Sequence, residues 1–218
     1  MPNTVKMPSK KMILPPAIGS YAWILEPRAN LQGKLKYSIC LIWPKTTDIS
    51  ALQNTIVELA VNAFGALVPP KVASTPDAVK KIIVDQLKAG KLKMPLHDGD
   101  IEHPEDENFA NSWFLNASSS NPPGIVDAKL QPVFEKSECY SGCTFRASVN
   151  VAAFSNEAKG IAVYLNNLQV VKKGPRLDGR AAAEREFAEF AEVGSSAEAA
   201  PAARAGAGLV TAAVPRAL

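Results

Sequence analysis

Hydrophobic and polar residues alternate along five stretches of the chain, as they do in β-strands that bury one face. The clearest stretch is 34–43, where Leu35 and Tyr37 alternate with Lys36 and Ser38. The predicted strands cover residues 19–27, 34–43, 113–118, 143–154 and 160–171.

The two longest predicted strands also show which side chains point away from the core. In 143–154, Phe145 and Val149 share the apolar face, whereas Arg146 and Asn150 lie on the opposite face. Tyr164 has the outward phase of the following strand. These three outward residues are therefore free to contact a ligand rather than to fill the core.

Between the second and third predicted strands the apolar residues recur at helical spacing. One helix follows Asp48 and ends at Gly65, and a second has Thr75 as its N-cap and ends at Gly90. Strands interrupted by a helical insertion over about 48–90 predict a mainly β fold. The arrangement favours a small closed or partly closed antiparallel barrel over a βαβ sheet.

The composition changes abruptly after Gly179, and 15 of the 38 residues in 181–218 are alanine. We therefore predict one folded domain over 1–178 and an Ala-rich tail over 179–218 that is partly helical or disordered.

Targeting signals and cysteine pairs are not evident in the sequence. Apolar runs are too short to cross a bilayer, and Pro15 and Pro16 interrupt the run nearest the N-terminus. Cys40, Cys139 and Cys143 are odd in number and lack CxxC spacing, which predicts reduced, partly buried thiols without zinc or disulfides. We expect a cytoplasmic protein with no membrane partner.

The net charge of the 218-residue chain is only +3, but the charges are unevenly distributed. Residues 1–93 carry +8, 94–139 carry −7, 140–180 carry +4 and 181–218 carry −2. A near-neutral total is therefore compatible with a strongly basic face, so it does not exclude a nucleic-acid partner.

The acidic block contains the most enzyme-like cluster of the sequence. Asp98, Asp100 and Glu102 stand among His97 and His103, and such a set could bind the metal of a nuclease. A solvated turn built on Asp-Gly is the simpler interpretation, because metal sites usually collect ligands from several elements. We predict no catalytic residue, no metal and no cofactor, and keep the nuclease as an alternative.

Basic and aromatic residues form a second group, on and near the predicted strands. Cations that follow phosphates and aromatic faces that stack on bases are what sequence-tolerant binding of a single strand requires. The members of this group are Lys34, Lys36, Arg146, Lys159, Lys172, Lys173, Trp23, Trp43, Trp113, Phe114 and Tyr164. Trp43, like Phe145, has the inward phase of its strand and is expected in the core.

An ordered set of short motifs runs along the chain: YAW at 21–23, EP at 26–27, KYS at 36–38, IWPK at 42–45, PLHDGD at 95–100, WFLNA at 113–117, PGIVD at 123–127, YSGC at 140–143, KGI at 159–161 and LNNLQ at 165–169. In these motifs and their order the chain resembles the phage-encoded single-stranded-DNA-binding proteins long catalogued as a domain of unknown function in phage replication regions. The motifs cover most of the chain, from about 21 to 180.

The resemblance implies an OB-like five-stranded barrel that binds single-stranded DNA without strong sequence preference, and that protects it in phage DNA replication or recombination in the host cytoplasm. We expect phosphate contacts from Lys34, Lys36, Lys129, Arg146 and Lys159, stacking by Trp23, Trp113 and Tyr164, and hydrogen bonds from Ser38, Asn116 and Asn150.

More distant phage relatives imply a tail that contacts replication proteins. Here an Ala-rich extension follows the acidic segment 184–192, which departs from that pattern. A replisome adaptor that acts through its tail remains an alternative, and exposed barrel edges permit a homodimer.

Overall fold

The computed structural model describes residues 7–30, 32–72 and 75–177, and the predicted tail lies outside these ranges. The strands are β1 (Ser9–Ile13), β2 (Ala17–Ala29), β3 (Leu35–Pro44), β4 (Leu96–Asp98), β5 (Ser112–Ser119), β6 (Gly124–Val126), β7 (Thr144–Ser155) and β8 (Lys159–Lys172). The helices are α1 (Ser50–Phe64), α2 (Pro76–Lys88) and α3 (Gly99–Glu102), and short 3₁₀ turns span Gly65–Leu67 and Glu107–Phe109.

Five of the strands close into a ring in the order β2-β3-β5-β8-β7, with β7 returning to β2. The prediction of a mainly β, OB-like fold with five strands is confirmed. The predicted antiparallel order holds at every junction except β5–β8, which is parallel at Ser118 and Tyr164. A closed ring of five strands cannot alternate direction all the way round because five is odd, so one parallel junction is unavoidable.

Two junctions of the ring are short, and the ring is accordingly not a regular barrel. Strand β2 meets β7 at Ala17–Phe145 and Ile18–Thr144. Gly19 follows directly, and a Cβ atom there would lie 2.5 Å from the Phe145 ring. The absence of a side chain at Gly19 therefore lets β2 and the Phe145 ring approach closely, next to the point where the ring closes.

Three further strands extend the sheet beyond the ring and were not predicted. Strand β1 adds to β7, β4 adds to β5, and β6 runs parallel to β8. β4 and β6 have three residues each, too few for a period of two to be recognised.

The two predicted helices lie between β3 and β5, where the insertion was expected. The Asp48 carboxylate accepts a hydrogen bond from the Ser50 N–H at the start of α1. The Thr75 hydroxyl accepts one from the Ala78 N–H at the start of α2. Thr75 is the N-cap of α2, and each of the two hydrogen bonds satisfies a backbone donor that the first helical turn leaves unpaired.

The main core lies between the inner face of the sheet and α1. Trp43 and Phe145 are buried there, as their phase predicted, together with Leu52 and Ile56 of α1. The Trp43 indole N–H donates to the Pro15 carbonyl at 3.1 Å. Burial of each large apolar side chain stabilises the fold by about 1.5–3 kcal/mol.

A smaller cluster lies on the outer face of the sheet, against the acidic loop. It consists of Cys40, Ile42, Phe109 and Phe114. Burial raises the pKa of the Cys40 thiol to about 12, so that this group stays protonated. Cys40, Cys139 and Cys143 are all buried and free.

Candidate nucleic-acid interface

The outward residues of neighbouring strands stand side by side around the ring. Trp23 of β2 is paired with Ser38 of β3, and Ser38 is paired with Ser118 of β5. Ser118 lies beside Tyr164 of β8, and Tyr164 is paired with Asn150 of β7. We call these five residues the outer row.

The outer row carries two exposed aromatic rings separated by small polar groups. Trp23 is 40% exposed and Tyr164 is 42% exposed. Three strand-to-strand steps of about 4.8 Å place their backbones about 14 Å apart along the sheet. Side chains of this kind present ring faces and hydroxyl or amide groups to the same ligand.

Cationic side chains flank the outer row at both ends. Lys36 is paired with Arg28 next to Trp23, and the Arg28 Cζ lies 5.0 Å from the centroid of the Trp23 ring. At the other end Lys11 of β1 is paired with Asn150. Arg146 lies further along β7, where its Nη1 donates to Gln169 Oε1 at 2.8 Å.

Most of the predicted site residues fall on this one surface. Trp23, Ser38, Asn150 and Tyr164 are in the outer row itself. The remaining predicted residues that share its face are Lys36, Asn116 and Arg146.

Four predicted residues lie away from the outer row. Trp113 is paired with Trp43 on the core side of the sheet, and the Lys45 ammonium lies 5.2 Å from its ring centroid. Lys34 precedes β3 in a turn held by Asn30.

The other two are Lys129 and Lys159. Lys129 belongs to a turn around Asp127, whose carboxylate accepts the Lys129 N–H. Lys159 is the first residue of β8, in the β7–β8 turn.

Three flanking or central residues were missed in the sequence: Lys11, Arg28 and Ser118. Lys11 belongs to the unpredicted strand β1, and Arg28 lies one residue beyond the predicted end of the first strand. Ser118 is the last residue of a predicted strand. Its place in the outer row is evident only from its pairing with both Ser38 and Tyr164.

The acidic cluster is used to hold its own loop together. Lys45 Nζ lies 2.7 Å from a carboxylate oxygen of Asp98 and 2.7 Å from one of Asp100. Asp98 also caps α3 by accepting the Asp100 N–H, and Asp100 accepts the Asn111 N–H at 2.7 Å. Hydrogen bonds from Lys45 and from the Asn111 backbone hold the pKa of Asp100 below its usual range.

The two histidines of this cluster have local partners as well. His97 Nδ1 is hydrogen-bonded to Glu102, and the His97 ring stacks on Phe114 at 5.2 Å. The His103 ring lies 4.4 Å from that of Phe109. Across residues 7–30, 32–72 and 75–177, no group of three or more His, Cys, Asp or Glu side chains is arranged to hold a metal ion.

Within the same ranges, no helix is long and apolar enough to span a membrane.

The five-stranded ring is an OB-like fold, and the family comparison gives its class, that of phage single-stranded-DNA-binding proteins. The chain belongs to the family of the single-stranded-DNA-binding protein of Enterobacter phage Enc34, whose family model matches residues 10–198. This confirms the predicted resemblance. The family is one of DNA-binding proteins and not of enzymes, which argues against the nuclease alternative.

Proteins similar to the chain include a curated relative and the two solved structures described below. The relative is a putative protein, p50, of Acyrthosiphon pisum secondary endosymbiont phage 1, 29% identical over 104 residues. The match covers 47% of this chain and 54% of the relative, so it spans about half of that protein's length.

The solved structures share the fold at low sequence identity. The Enc34 protein in complex with single-stranded DNA has a TM-score of 0.51 at 20% identity, covering 77% of this chain and 89% of that one. The single-stranded-DNA-binding protein encoded by bacteriophage T7 has a TM-score of 0.53 at 14% identity, covering 88% of this chain and 100% of that one.

Proposed function

We propose that this protein binds single-stranded DNA without sequence preference across the outer row, and so protects it during phage DNA replication or recombination in the host cytoplasm. The observation that carries the proposal is the register that brings Trp23, Ser38, Ser118, Tyr164 and Asn150 side by side. Family membership and the OB-like ring support it.

The side chains of the outer row can contact any base, whatever the DNA sequence. Trp23 and Tyr164 stack on bases, and each such stack contributes about 1–3 kcal/mol whichever base is present. Ser38 and Ser118 donate hydrogen bonds to the sugar–phosphate backbone between the two stacks, and Asn150 does so beyond Tyr164. Because ring faces make the main base contacts, sequence preference is weak.

The flanking cations neutralise phosphates. Lys36 and Arg28 act at the Trp23 end, and Lys11 and Arg146 act at the Asn150 end. The acidic loop is kept apart, because Asp98 pairs with Trp113, five residues from Ser118 and about 16 Å along β5. The single-stranded DNA therefore contacts a face of the sheet on which positive charge predominates.

The remaining predicted contacts have smaller roles in this proposal. Asn116 lies two residues from Ser118 on the same face and extends the hydrogen-bonding surface. Lys34, Lys129 and Lys159 contribute through the general positive field rather than by contact with the row. The Trp113 ring, which packs against the core, supports β5 from the inner side.

The proposal is tested by measuring affinities for single-stranded DNA, duplex DNA and RNA of equal length over a range of salt concentrations. We expect the single strand to bind more tightly than the duplex, because paired bases cannot reach the two rings. Each neutralised phosphate should contribute about −0.7 to the slope of log K against log salt. Equal affinity for duplex and single strand, or a slope of zero, would contradict the proposal.

A further inference from the structure

A groove of about 720 Å³ borders the outer row at Trp23. One wall is the irregular part of β2, and the other is formed by Lys136, Ser137, Cys139, Tyr140 and Ser141 together with Arg176 and Leu177. Its volume is within the range of ligand-binding clefts. The side chains that matter below are Tyr21, Trp23, Arg28, Lys136, Tyr140 and Arg176.

The β2 wall exists because this strand leaves its regular pairing with β3. Ser20 is paired with Cys40 and Trp23 with Ser38, so β2 has one residue more than β3 in this interval. Bulges of this kind turn a side chain away from the sheet, and Tyr21 is 59% exposed. Its backbone φ of 47° is disfavoured for a residue other than glycine, a feature that often marks functional positions.

The opposite wall is fixed by hydrogen bonds between distant parts of the chain. The Ala22 N–H donates to Ser141 Oγ at 3.0 Å, which joins the two walls. The Tyr140 hydroxyl donates to the Gly174 carbonyl at 3.0 Å, and the Leu177 N–H donates to the Ser141 carbonyl at 2.9 Å. The groove is therefore preformed.

The groove combines aromatic rings with positive charge. The Arg176 Cζ lies 4.2 Å from the centroid of the Tyr140 ring, and the Arg28 Cζ lies 5.0 Å from that of Trp23. Lys136 is paired with Glu26 at 2.8 Å, the one carboxylate among the residues that line the groove. Guanidinium groups bind phosphate through two parallel hydrogen bonds.

We propose that this groove is a second subsite for single-stranded DNA, which receives the part of the strand that leaves the outer row at Trp23. A base packs against the exposed Tyr21 ring, and Arg28 and Arg176 bind the neighbouring phosphates. Trp23 connects the two surfaces because it belongs to the outer row and also lines the groove. This inference rests on the proposed function and extends the DNA path beyond the row.

The test compares two lengths of oligo(dT) on the full chain carrying Tyr21→Asn. Asparagine is chosen because it accepts a positive φ and lacks the ring. Leu130→Asn is the matched control, since Leu130 also has a positive φ of 64°, is 68% exposed, and lies outside the groove. The shorter oligonucleotide is the shortest that binds the wild-type protein measurably, and the longer one has twice its length.

We expect Tyr21→Asn to weaken binding of the longer oligonucleotide by about 5- to 150-fold, the loss of one stack. Binding of the shorter one should be unchanged, as should both affinities in Leu130→Asn. Tyr21→Phe should bind both lengths normally, and thermal unfolding checks that each variant is folded. Unchanged binding of the longer oligonucleotide, or equal losses at both lengths, would overturn the second subsite. Failure of the wild-type protein to bind either length would instead contradict the proposed function.

Discussion

At the scale of single residues, the sequence predicts which face of a strand a side chain lies on. It does not predict which residues of neighbouring strands are paired. The outward positions of Arg146, Asn150 and Tyr164 follow from alternation within two long strands. The pairing of Trp23 with Ser38, and of Ser118 with Tyr164, depends on a bulge in β2 and on a parallel junction. Neither feature leaves a periodic signal in one sequence.

Trp113 is a predicted stacking residue that lies on the inner face of the sheet. Its aromatic character made it a candidate for stacking, but it shares the inward phase of Leu115 and Ala117 and packs against the core. Its role in DNA binding stays a prediction, and its position favours Trp23 and Tyr164 as the stacking pair.

The acidic loop yields a prediction about pH. Because the pKa of Asp100 is lowered in the folded protein, its contribution to stability is present above the unfolded value of about 3.9. That contribution is lost as the pH falls through the folded pKa. Asp100→Asn should therefore lower the free energy of unfolding near neutral pH and have little effect near pH ~2, as measured by urea unfolding.

Glu157→Gln is the control for that measurement, because Glu157 lies exposed in the β7–β8 turn. Glu157→Gln should change the free energy of unfolding only slightly at both pH values. A deficit of Asp100→Asn that is the same at both pH values would show that the ion pair with Lys45 does not account for it.

At the scale of elements, the long strands and both helices of the insertion were predictable, because each spans several periods or carries a cap. The short strands β1, β4 and β6 were not, since their formation depends on the long strand each one joins. The pattern of strands with a helical insertion predicts a closed or partly closed barrel. The parallel junction between β5 and β8 is predictable only once the closure of a ring of five strands is known.

The docking of residues 174–177 on the Tyr140–Gly142 segment gives a prediction at this scale. Gly142 has a φ of 113°, and a Cβ atom there would lie 1.8 Å from the Pro175 carbonyl oxygen. Gly90 has a φ of 70° with nothing within 4 Å of such a Cβ, so its substitution shows the cost of a positive φ without a steric clash.

Gly90→Ala should cost about 1–2 kcal/mol of unfolding free energy. Gly142→Ala should cost about 1–3 kcal/mol more, because its φ lies further from the region that alanine adopts and because the chain must also move away from the new methyl group. Urea unfolding of both variants measures the difference. Equal costs would mean that the close approach of Pro175 to Gly142 does not stabilise the fold.

At the scale of the whole molecule, the arrangement of charge matters more than its total. Lys11, Arg28 and Lys36 belong to the basic block 1–93, whereas Arg146 belongs to the block 140–180. The ring, together with β1, brings these four cations to the two ends of the outer row. The acidic block between them in sequence is partly neutralised by Lys45, well away from the row.

The central claim is that the outer row binds the single strand by stacking, and the double variant Trp23→Ala/Tyr164→Ala tests it most directly. Its affinity for a labelled oligo(dT) is measured by fluorescence anisotropy at fixed salt, beside Phe134→Ala, which removes an exposed ring outside the row. The two stacks are far enough apart to act independently, so the double variant should lose about 2–6 kcal/mol while Phe134→Ala binds normally. Wild-type affinity in the folded double variant, or an equal loss in Phe134→Ala, would contradict the account.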